Sequence, residues 1–191
     1  EKQTADFMHL TQSCAAYYRG ENYTVAQLRF QGGQAMRFLL PDEGAALESL
    51  LSGGEAAGGL MAYDMGAVLE TAELRWSVPK FDVDSDLELT DALKALGVAD
   101  VFDFDKADFS PLIDEEKLDE SIAVTQVQHA ARVKINEAGC EAAAFTAIMG
   151  DAAAAMPEDL PVVEMNLNRP FAFMITGVDG LPLFLGTVDT L

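Results

Sequence analysis

Residues 136–146 read NEAGCEAAAFT: an acidic side chain, a glycine, then side chains small enough to pass between two β-strands. Residues 168–175 read NRPFAFMI, an apolar strand opened by Pro170. The chemistry this pair offers is conformational, that of an exposed loop able to become a strand. Side chains of a strand alternate faces. Over 140–151, Cys140, Ala142, Ala144, Thr146, Ile148 and Gly150 fall on one face, none of them charged. Glu141, Ala143, Phe145, Ala147, Met149 and Asp151 fall on the other. One face could be buried while the other stays in water, and a slip of one residue would bury Glu141 and Asp151. Propensity alone pulls the other way, since the Ala-rich stretch 141–156 reads as helix.

No other motif competes. The chain has no GxSxG elbow, Walker loop, HExxH pair or dinucleotide fingerprint, so it is not expected to be an enzyme. Asp82, Asp84 and Asp86 imitate the start of a calcium loop, but Leu87 stands where that loop needs Gly and Leu93 where it needs Glu. They read instead as the solvated face of a strand. Two cysteines, Cys14 and Cys140, and two histidines give no disulfide framework and no zinc site, so neither metal nor cofactor is expected.

The 191 residues carry 32 acidic and 12 basic side chains, a net charge of −20. Nucleic acid and anionic membrane surfaces are poor partners for such a chain. No apolar run approaches the roughly 20 residues that span a bilayer. Half the residues are hydrophobic, which argues against disorder. The opening EKQTADFMHL shows neither an initiator Met nor a signal segment and reads as a fragment whose upstream part is missing. Compartment is left open by the cysteines, with an extracellular or secreted one expected.

The elements that must position the loop are mostly strands. Strands are expected at 23–30 and 34–40 around Gln31-Gly32-Gly33, with a turn at 41–44 and a short helix over 45–52. The stretch 53–59 is Gly/Ala-rich. Residues 67–83 hold two extended segments, with Pro79 marking a bulge or an edge. Thr90 is expected to cap a helix over 91–96 that ends at a left-handed Gly97. A single long strand is expected over 119–136, then strands at 161–167, 171–176 and 182–188, with Val178-Asp179-Gly180 closing the last hairpin.

In order along nearly the whole chain, these pieces resemble the serpins, a family of serine protease inhibitors. TADFMHLTQS (4–13) through LPDEG (40–44) is similar to the serpin segment after the third strand of the central sheet. LRWSVPKFDV (74–83) through ADFSPL (107–112) resembles the sixth strand of that sheet, a helix and a turn. LDESIAVTQVQHAARVKINEAG (118–139) resembles the fifth strand and the hinge, and MNLNRPFAFMITGVDGLPLFLGTVDTL (165–191) the closing hairpin. The hinge, the Asn-Arg-Pro-Phe strand and VPKF, taken in register, carry most of this likeness. The chain departs from the pattern in having Cys140 where Thr or Ser is usual, Phe145 among small residues, Ala172 for a larger one, and a longer stretch from Gly139 to Pro170.

The resemblance implies an α+β, mainly β chain: the C-terminal portion (1–191) of one serpin domain, with strands of sheets A, B and C, a few short helices and a reactive loop at 137–161. It implies a hinge at Glu137, Gly139, Cys140, Glu141, Ala142, Ala143 and Ala144. The family's usual spacing of about sixteen residues from Glu137 puts the scissile bond at Ala153–Ala154. Small neighbours and the lack of Arg or Lys between 135 and 168 point to an elastase-like serine protease as partner. Lys80 matches a position that pairs with Glu137 to gate insertion, the alternative being two unrelated surface charges. His129 matches a shutter histidine, the alternative being a satisfied core histidine, and Trp76 reads as core. The function implied is suicide inhibition by loop insertion; the alternative is a non-inhibitory serpin-fold interaction protein cleaved as a simple substrate. Either way, the missing N-terminal half of the fold is an expected partner.

Overall fold

A computed structural model describes residues 5–112, 122–136, 139–140 and 159–190. The chain forms two compact units, one of 1–82 with 133–191 and one of 83–132. Among the described residues the order is β1 (Phe7–Arg19), β2 (Tyr23–Arg29), β3 (Ala35–Pro41), α1 (Leu47–Ser52), α2 (Glu55–Met61), β4 (Glu70–Pro79), β5 (Phe81–Glu88), α3 (Thr90–Ala95), β6 (Gln128–Asn136), β7 (Gly139–Cys140), β8 (Val162–Asn166), β9 (Phe171–Thr176) and β10 (Pro182–Val188). The fold is mainly β, as the sequence implied.

Seven strands form one sheet in the order β10-β9-β3-β2-β1-β4-β8. Its pairs are antiparallel except β4 with β8, which is parallel. The central strands β3 and β9, AMRFLLP and FAFMIT, are buried along their whole length. Their near-continuous apolar runs need cover on both faces. On one face, Tyr23, Val25, Leu39, Ala172 and Met174 pack against Leu47, Leu50, Ala56 and Leu60 of the two helices. On the other lies a chain of tilted and edge-to-face aromatic contacts running from Trp76 through Phe38, Phe171 and Phe81 to Phe173. A second sheet has the order β5-β6-β7.

The structure corrects several expectations. Phe7–Arg19, not foreseen as a strand, is a 13-residue strand whose register shifts between Gln12 and Ala15. That shift breaks the simple alternation by which a strand is read. The 53–59 stretch enters a second short helix, α2. The strand expected over 119–136 begins only at Gln128, and residues 122–127 take no regular form. Thr90 does not cap α3. Its hydroxyl instead donates to the Glu88 carboxylate and accepts from the Val127 N–H, which ties the helix start to the chain leading into β6. Gly97 does close α3: at φ +93°, its N–H reaches the Lys94 carbonyl and that of Val98 the Leu93 carbonyl, a Schellman ending. Pro79 ends β4 beyond its last pair with β8, at Ser77, so its missing donor breaks no β4–β8 hydrogen bond.

Candidate functional site

The expected reactive loop lies mostly outside the described residues, and the described residues on either side of it are both paired. On the N-terminal side, β6 alternates: Val133 and Ile135 are buried, and Lys134 between them is not. Asn136 pairs with Gly139 and Ile135 with Cys140, antiparallel, so the chain doubles back on β6. Gly139 sits at φ +102°, a conformation that costs a residue with a Cβ roughly 1–2 kcal/mol. Gly139, expected as a hinge residue, therefore has a backbone reason to be glycine. At the other end, the Glu73 N–H of β4 donates to the Pro161 carbonyl (2.9 Å), and β8 begins alongside β4.

Two of the motifs that the sequence singled out are joined to each other. Arg169, ahead of Pro170, donates from Nε to the Pro41 carbonyl (2.8 Å), linking NRPF to LPDEG. Next to it, Arg19 of β1 forks onto Asp42 through Nη1 (2.7 Å) and Nη2 (2.5 Å). This hydrogen-bonded guanidinium holds the Asp42 carboxyl below its ordinary value. Phe171 and Phe173 follow directly into the core. Sequence reading found NRPF as a strand opener but missed Arg169 as its anchor. An arginine immediately before a strand-opening Pro, within an otherwise uncharged run, was the available signal.

Lys80 forms a surface pair with Asp6 (3.6 Å), while its N–H donates to the Asp6 carbonyl (2.8 Å). Asp6 was not foreseen. His129 lies exposed on β6, so it is not a core histidine within this chain. Trp76 is core, 2% exposed, with its Nε1–H donated to the Gln12 side chain (2.8 Å). Asp82, Asp84 and Asp86 are exposed on β5, and Gln128 donates to Asp86 (2.8 Å). Glu137, Glu141, Ala142, Ala143, Ala144, Ala153 and Ala154 lie outside the described residues. Of the expected hinge residues, the described ones are Gly139 and the backbone of Cys140.

The family model described as Serpin (serine protease inhibitor) matches residues 1–190. Iripin-5 of Ixodes ricinus is 32% identical over 169 residues, covering 87% of this chain and 40% of that protein. Serpin B10 of Mus musculus is 31% identical over 173 residues, covering 88% and 41%. Among solved structures, the thermophilic serpin tengpin in its native state superposes with a TM-score of 0.74 at 27% identity, over 100% of this chain and 47% of that one. The chain thus spans less than half the length of the relatives it matches.

Proposed function

This chain belongs to the serpin family, and on that premise we propose that it carries the reactive loop of an inhibitor that stops a serine protease by being cut. One observation supports the reading above others: the first loop residues, Gly139 and Cys140, already pair antiparallel with β6. Continuing the same register would set Ala142 against Val133 and Ala144 against Ala131, on the side where Val133 and Ile135 are buried. It would set Glu141 against Lys134 on the other side, an opposite-charge cross-strand pair. The uncharged set of loop side chains thereby meets the apolar face of β6, and the charged set meets its polar face.

In the proposed sequence, the protease serine oxygen attacks the Ala153 carbonyl. The Ala153–Ala154 bond breaks, the Ala154 amine leaves, and an ester joins Ala153 to the protease. The freed tract then enters beside β6. Each added ladder hydrogen bond is worth roughly 0.5–1.5 kcal/mol net, so about a dozen residues supply on the order of 10 kcal/mol. Carried along and distorted, the protease loses its oxyanion hole and the ester is not hydrolysed. The native state is a kinetic trap on this reading. The small residues around Ala153 suit the shallow pocket of an elastase-like enzyme.

A second proposed partner is the remainder of the fold, the part of the relatives' length that this chain does not span. Its support is the bareness of β10, where Leu183, Phe184 and Leu185 are all exposed.

The test uses the intact protein carrying this chain, mixed with pancreatic elastase and read by denaturing gel and intact mass. A detergent-stable complex with release of a peptide beginning at Ala154 is expected. Cleavage without a complex would favour the non-inhibitory alternative, and no cleavage in 141–158 would sink both.

A further inference from the structure

Arg37 is a buried cation on the sheet face that also carries Val25, Leu39, Ala172 and Met174. It lies on β3, two residues from Leu39 and on the same face, with its side chain 4% exposed. Its Nη1 donates to the Leu60 carbonyl (2.9 Å) and to Asp64 Oδ2 (2.5 Å), and its Nη2 to Asp64 Oδ1 (2.9 Å). The guanidinium stands 5.1 Å from the centre of the Tyr63 ring, and its buried Nε has no partner. Tyr63 is itself tied down by its hydroxyl, which donates to the Ala16 carbonyl (2.7 Å).

The same carboxylate meets the end of the β9–β10 hairpin. Gly180 lies so close that a Cβ placed there would stand 2.7 Å from Asp64 Oδ1. On the neighbouring turn, a Cβ at Gly33 would stand 3.1 Å from the Val178 side chain. The hairpin tip therefore rests on two points. One is an apolar contact; the other is a carboxylate fixed by a buried arginine.

We propose that the Arg37–Asp64 pair is a charge-held latch that docks the tip of the β9–β10 hairpin, and that it opens when the carboxylate loses its charge. A neutral Asp64 keeps an acceptor oxygen but loses its charge and one arm of the fork, and the Arg37 Nε is already unpaired. Arg37 is 4% exposed and Asp64 30%, so losing the carboxylate charge leaves a buried cation uncompensated, which is more damaging than replacing both sides. The turn after α2, closed by the Asp64 and Met65 N–H groups on the Met61 carbonyl, must then move to let water reach the arginine. That movement carries Asp64 away from Gly180.

The groups that set the charge are Arg37 from β3 and Arg29 from β2; Tyr63 in the same turn stays a neutral phenol, its hydroxyl pushed up by burial. At the tip, Asp179 is engaged by the Leu181 N–H. The hydrogen-bonded Arg37 holds Asp64 below its ordinary 3.8. A depressed carboxylate stabilises fully above the unfolded value and loses that stabilisation as pH falls through the folded one. The latch is thus closed above 3.8 and opens below it.

Backbone hydrogen exchange on the intact protein tests this. Asp64→Asn should speed exchange at Gly177, Gly180 and Leu181 about tenfold or more, leaving Trp76 and Val78 unchanged. Arg37→Met/Asp64→Asn should restore most of the protection. Corrected for intrinsic rates, parent exchange at the tip should rise below pH 3.8, and that of Asp64→Asn should not. Equal exchange in parent and Asp64→Asn would overturn the latch. So would a uniform rise across the sheet, a double variant no better than Asp64→Asn, or parallel pH curves.

Discussion

At the scale of single residues, burial and pairing separate what matters from what only looks charged. Phe38 is fully buried and touches the rings of Trp76 and Phe171. Phe38→Ala should therefore cost about 3–5 kcal/mol in the denaturant midpoint of the intact protein. The Arg19–Asp42 fork is well formed, but its side chains are 40% and 37% exposed. Asp42→Asn should cost under about 1 kcal/mol at pH 7, because solvent screens an exposed pair. Asp42 is depressed by Arg19 in the folded state. The difference between parent and variant should therefore be complete above 3.8 and fade as pH falls below it. Unfolding titrations at pH 7 and pH 2.5 check both size and sign. Trp76 was readable as core from its type. Asp6 beside Lys80 was not, because a surface pair leaves no local pattern.

At the scale of elements, the β6–β7 pair makes the sharpest demand. If the loop tract enters beside β6 in the register begun by Ile135 with Cys140, Ala142 faces a buried row. Ala142→Arg should then leave cleavage by elastase intact and abolish the stable complex, whereas Ala143→Arg on the opposite face should be milder. Equal trapping by Ala142→Arg and parent would overturn the register. Other elements differed in how readable they were. The β9–β10 hairpin was plain, since two apolar runs flank Val178-Asp179-Gly180. So was the end of α3 at Gly97. By contrast β1 was hidden by its mixed sequence and its register shift; it is a strand because β2 and β4 flank it.

At the scale of the whole molecule, the decisive fact is how much surface this chain leaves bare. Leu181, Leu183 and Leu185 are 61%, 58% and 65% exposed on or beside an edge strand. Such an edge invites pairing or aggregation. The isolated chain should bind a hydrophobic dye strongly, and Leu183→Lys/Leu185→Lys should lower that signal at least about twofold. In the intact protein the same change should instead destabilise, which distinguishes a covered face from a free one. By itself the sequence determined the family, through the order of its motifs along nearly the whole chain, and the mainly β character, the helix end at Gly97 and the uncharged alternate positions of 140–151. The last two are written in local spacing, and spacing survives without the fold. Only the tertiary structure decided that β1 is a strand, that NRPF is anchored through Arg169 to Pro41, and that Arg37 is buried against Asp64. Those outcomes depend on partners up to 128 positions away in the chain, and no window along the sequence contains both members.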